Sequence, residues 1–79
     1  MNERDATMMN DSGVTKIRLR GSNPALSNML PGLYALAGHC GSLGTFLDEA
    51  VRYLASVRLQ IMTIEYHAGT REITLMVRG

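Results

Sequence analysis

The sequence predicts a two-layer α+β domain, with a three-stranded antiparallel sheet carrying two helices on one face. Three observations lead there. "VTKIRLRG" (residues 14–21) and "EITLMVRG" (72–79) both alternate apolar and polar residues as half-buried strands do. "TFLDEAVRYLA" (45–55) carries its apolar residues at helical spacing. "RLQIMTIEY" (58–66), rich in β-branched residues, lies one short loop before the closing strand.

The elements follow in chain order. Residues 1–13 show neither periodicity and end in "NDSG", so they are expected to form a flexible tail, with Met8 and Met9 as later possible starts and a single domain over 14–79. In the first strand Ile17 and Leu19 point to the core while Lys16, Arg18 and Arg20 point to solvent. "SNPA" then offers Asn23 as N-cap and Pro24 at the first helical position. Pro31-Gly32 is expected to split the next apolar stretch into two short pieces or one kinked helix ending at Gly38, with "GHCGSLG" as a flexible linker. Thr45 and Asp48 resemble a capping box at the start of a helix whose stripe is Phe46, Leu47, Ala50, Val51 and Leu54, and Ser56 ends it. The run 58–66 is apolar at both parities, which requires either cover on both faces, and hence a central strand, or a bulge. "HAGT" turns the chain with Gly69 available for positive φ, and Ile73, Leu75 and Val77 point inward from the last strand.

Composition excludes several classes of function. At 79 residues the chain makes one domain, and a domain of that size buries only roughly 60% of its unfolded surface, so self-association or a partner would add needed stability. A formal charge of +1 argues against wholesale binding of a nucleic-acid backbone. Seven of the eight basic residues are Arg, which suits local pairing with carboxylates. The single cysteine, Cys40, excludes an intrachain disulfide. No apolar run approaches the roughly 20 residues of a membrane span, and the start lacks the order of a signal peptide. As written the chain reads as cytoplasmic, or as periplasmic if it is a fragment of a membrane-anchored secretion component.

No cofactor, metal or catalytic site is expected. His39, Cys40 and His67 lack the spacing and the fourth ligand that structural zinc needs. Asp48, Glu49, Glu65 and Glu72 read as solvated surface. "GHCG" resembles the GXXG loop of KH domains but carries no Lys or Arg to grip a phosphate, so nucleic-acid binding ranks third among the functional readings. The residues expected to meet a partner are Lys16, Arg18, Arg20, Met62, Met76 and Arg78: an Arg-lined strand, two Met side chains at outward or ambiguous parity, and the closing Arg.

From Phe46 to Gly79, Val57, Leu59, Ile64, Tyr66, Gly69, Ile73, Leu75 and Val77 fall on a helix-strand-turn-strand pattern. That pattern resembles the small periplasmic ferredoxin-like domain of GspL and PilN proteins of secretion and pilus platforms. The resemblance implies a ferredoxin-like, non-catalytic module that pairs with itself or with a similar domain in a secretion-type or pilus-type assembly. The expected partner is therefore a protein, in a homodimer or a heteromeric complex. The alternative is a small phage-type inhibitor that blocks a host complex.

Overall fold

The computed structural model describes residues 12–79. The chain runs β1 (Lys16–Arg20), α1 (Leu26–His39), α2 (Leu43–Ala55), β2 (Gln60–His67) and β3 (Glu72–Arg78). The α+β class with two helices and three strands is as the patterning predicts. Within the tail expected over 1–13, residues 1–11 lie outside the described residues; Ser12 is buried, and the Gly13 carbonyl accepts a hydrogen bond from the Tyr66 hydroxyl.

Local signals place the helices, with shifts of a few residues. The Asn23 side chain accepts from the Ala25 N–H at 2.8 Å, but regular helix begins only at Leu26, so Asn23 shapes the turn that feeds α1. α1 continues through Pro31 as one helix to His39. Pro31 forfeits one internal hydrogen bond, to the carbonyl of Ser27; Ser27 is exposed, where water can serve that oxygen. The cap of α2 is Ser42, three residues before the expected Thr45. Its Oγ accepts from the Thr45 N–H at 3.2 Å, which shortens the expected linker to a tight turn. Phe46, Ala50 and Leu54 of the predicted stripe are buried, Leu47 is half-buried, and Val51 is exposed.

α2 ends in a motif that normally calls for glycine. The Leu59 N–H donates to the Leu54 carbonyl and the Arg58 N–H to that of Ala55, both at 2.9 Å, while Leu54 and Leu59 are both buried. This is the Schellman pattern, and its left-handed position is occupied by Arg58 at φ 64°. A non-glycine residue there costs about 1–2 kcal/mol, and glycine's extra unfolded-state entropy takes back roughly half of it. Arg58→Gly should therefore raise stability by about 0.5–1 kcal/mol, read as a higher urea midpoint at unchanged slope.

The sheet departs from the expected arrangement, and one displacement accounts for both differences. Strand order is β1-β3-β2, with β1 parallel and β2 antiparallel to β3. The sheet is thus mixed, without the purely antiparallel order of a ferredoxin-like sandwich. The expected central strand, β2, lies at the edge. Because β2 runs opposite to both other strands, a central β2 would have given an all-antiparallel sheet; putting β3 inside makes its contact with β1 parallel. Burial explains the choice: Ile73, Leu75 and Val77 are 0–5% exposed, whereas most of β2 is exposed. The two-parity pattern of β2 comes from the other alternative, a bulge between Ile61 and Thr63.

The similar strands β1 and β3 are therefore neighbours, in register with Ile17 beside Ile73 and Leu19 beside Leu75. They form the floor of a core closed by Leu33, Phe46 and Leu54. The hairpin loop uses Arg71, at φ 60°, as its left-handed residue; Gly69 has no positive φ. The Thr70 and Arg71 N–H groups both donate to the His67 carbonyl.

Candidate interaction surface

The helices cover one side of the sheet and leave the other open. The open side carries Lys16, Arg18 and Arg20 from β1, Glu72, Thr74, Met76 and Arg78 from β3, and Thr63, Glu65 and His67 from β2, since these positions share parity across the register. Five of the six residues singled out from the sequence, Lys16, Arg18, Arg20, Met76 and Arg78, lie together here. Arg18 reaches Glu72 at 3.6 Å, a surface ion pair worth about 0–1 kcal/mol. Met62 is apart from them, as the extra residue of the bulge on the far edge. No aromatic ring lies on this face, because Tyr66 points to the helix side with its partner Ile73. The face therefore lacks the stacking platform on which sheet surfaces bind single-stranded nucleic acid.

The two sheet edges differ in a way the sequence does not signal. At the β1 edge the Tyr34 hydroxyl accepts from the Ile17 N–H at 2.9 Å and donates to the Ile17 carbonyl at 3.4 Å. The side chain thus occupies the outward peptide groups of Ile17, part of what a foreign strand would use. Arg18 and Arg20 line the shallow groove beside it with Ile17, Leu19 and Leu30. Charged side chains and a covering group are the usual means of closing an edge.

Among the described residues no side chain caps the β2 edge, whose only charged residue is Glu65 and whose bulge lies near its start. The strand is eight residues long, and its Met62 and Ile64 are 49% and 43% exposed. Beside it lies the outer flank of α2. Tyr53 faces α1, since a Cβ on Gly32 would overlap its hydroxyl. Val51, about 200° of helix rotation away, lies on the opposite flank with Leu47, on the side of β2. Val51, 48% exposed, adds an apolar side chain on that outer flank. Ile64, Val51 and Tyr34 escape sequence reasoning because each looks like an ordinary member of an apolar stripe. Only the strand order turns the first two outward and gives Tyr34 an edge to cap.

The loop between the helices carries Cys40, which packs into the core. Cys40 is buried, and burial pushes its thiol above the ordinary value, with the nearby Glu49 carboxylate adding to the rise. The thiol accordingly stays protonated at neutral pH, while His39 and His67 are exposed. Among the described residues, no group of three or more His, Cys, Asp or Glu side chains is placed to hold a metal ion, and no helix is long and apolar enough to cross a membrane. No protein-family model, curated protein or solved structure matches the chain.

Proposed function

We propose that this protein is a non-catalytic interaction module that binds a protein partner by accepting a strand at the β2 edge. One observation carries this reading: among the described residues, the β1 edge is capped at Ile17 by Tyr34, whereas the β2 edge is longer, exposes Met62 and Ile64 and has no such cap. Strand addition uses an edge of that kind, with backbone groups supplying affinity and alternate side chains supplying selectivity. Met62, Ile64 and Val51 form the apolar contact. The Arg-rich open face beside the edge discriminates among partners by charge.

The test compares wild type with Ile64→Asp and Ile64→Lys as baits, after circular dichroism shows that all three are folded. Each protein held specifically by wild type, a second copy included, should be held at least about tenfold more weakly by both variants, the loss expected at an interface anchor. Partners retained equally by all three baits would overturn the reading.

A further inference from the structure

We infer that the strand accepted at the β2 edge is β2 of a second copy, paired antiparallel about a two-fold axis through Ile64. This rests on the interaction-module reading and adds the partner and the register.

The orientation of the peptide groups comes first. Ile17 gives its N–H and carbonyl to Tyr34, so in β1 the groups of Lys16, Arg18 and Arg20 are the ones that face β3. Alternation along the parallel register then turns the groups of Ile73 and Leu75 toward β1, and those of Glu72, Thr74 and Met76 toward β2. In β2 their partners His67, Glu65 and Thr63 are engaged, which leaves the N–H and carbonyl of Ile64 and Tyr66 facing outward.

A symmetric antiparallel pair must match outward residues with outward residues. Centring on Ile64 places Ile64 opposite Ile64, Met62 opposite Tyr66 and Thr63 opposite Glu65, with the bulge at the end of the ladder. Shifting the axis to Glu65 sets two carboxylates directly across from each other, which is destabilising. An axis at Tyr66 shortens the overlap to the end of the strand. An axis at Thr63 brings the bulge residue Met62 of each strand next to the axis, opposite Ile64, where it breaks the ladder, so the side-chain pattern of β2 is self-complementary about Ile64.

Closure about that axis, which stands perpendicular to the sheet, yields six strands in the order β1-β3-β2-β2-β3-β1. All four helices lie on one side. The α2 flanks with Leu47 and Val51 then approach each other over the junction and cover the apolar surface that a lone domain leaves in water. Both outer edges of the enlarged sheet are β1, blocked at Ile17 by Tyr34 and lined by Lys16, Arg18 and Arg20, which opposes growth beyond two copies.

Light scattering across a dilution series of the whole chain should give a dimer that persists at low micromolar concentration, and Ile64→Lys should shift it to monomer. Under mild oxidation Ile64→Cys should form a covalent dimer, because facing Cα atoms of a hydrogen-bonded pair lie about 5.5 Å apart, within disulfide reach. Glu65→Cys should not, because its diagonal separation is about 7–8 Å. Wild type, whose Cys40 is buried, is the control. A dimer indifferent to Ile64→Lys, or one that cross-links through position 65 in place of 64, overturns the inference. A monomer at all concentrations overturns it too. Ile64-dependent capture of a different protein would then leave the module reading standing, and its absence would remove both.

Discussion

Phe46→Ala should lower the stability of the domain by about 3–5 kcal/mol. Phe46 is the only Phe in the chain and the largest of its fully buried side chains. It lies in the first turn of α2 and contributes to the same core as Leu33, Leu54, Ile73 and Leu75, each of which is also fully buried. Removing the ring leaves a cavity that helix and sheet can close only by moving together, and both are held by other contacts. Since a domain has roughly 0.05–0.15 kcal/mol of stability per residue, the loss is comparable to the whole for a chain of 79 residues. Urea titration followed by circular dichroism should show a variant partly unfolded without denaturant. A shift under about 1 kcal/mol, the scale of a surface substitution, would show that the ring does not fill the core.

Gly21→Ala is the second large effect, and it concerns the backbone. Gly21 follows β1 where the chain passes close to β3. A Cβ there would overlap the Val77 carbonyl oxygen and come within 3.0 Å of Leu26 Cδ1. The oxygen belongs to the central strand, which cannot yield without disturbing its ladder, so a loss of about 1–3 kcal/mol is expected. At roughly 4–8 °C per kcal/mol for a domain of this size, the melting temperature should fall by several degrees or more. Gly38→Ala is the internal comparison. It lies inside α1, and a Cβ there meets nothing within 4 Å. Alanine's better helix propensity should therefore stabilise by up to about 1 kcal/mol. Opposite signs at the two positions would confirm that Gly21 is required by close approach. Equal small effects would show that β3 can shift.

The closing glycines of the two similar strands thus have related causes. Gly79 has the Leu59 side chain where its Cβ would be, with the Arg58 carbonyl oxygen 3.0 Å from that position. Both glycines stand where another segment crosses a strand end. Gly13 differs, combining a φ of 81° with the contact to Tyr66. None of these crossings is visible from composition, since a glycine at the end of a strand reads equally well as a turn signal.

Much of the secondary structure was legible because its determinants are local. The alternation of Ile17 and Leu19, the spacing of Phe46, Ala50 and Leu54, and the alternation of Ile73, Leu75 and Val77 identify a strand, a helix and a strand without reference to neighbours. The misplaced boundaries are also local: Ser42 and Thr45 compete as caps, and Pro31 is tolerated once packing holds the helix around it. Arg58 in a glycine position is legible only from the structure, because the hydrogen bonds that enforce it come from a helix end whose place must first be known.

By itself the sequence determined an α+β domain whose three strands and two helices share one small core, and an Arg-rich polar face on its first strand. The tertiary structure alone decided which strand of the closing hairpin lies inside. Either β2 or β3 could pair with β1 on local grounds. β3 takes the inner place because Ile73, Leu75 and Val77 all find cover, while the bulge at Met62 disrupts the ladder of β2. That choice, made by the packing of all five elements at once, makes the sheet mixed, gives Tyr34 a strand edge to close and leaves Ile64 at the edge that stays open.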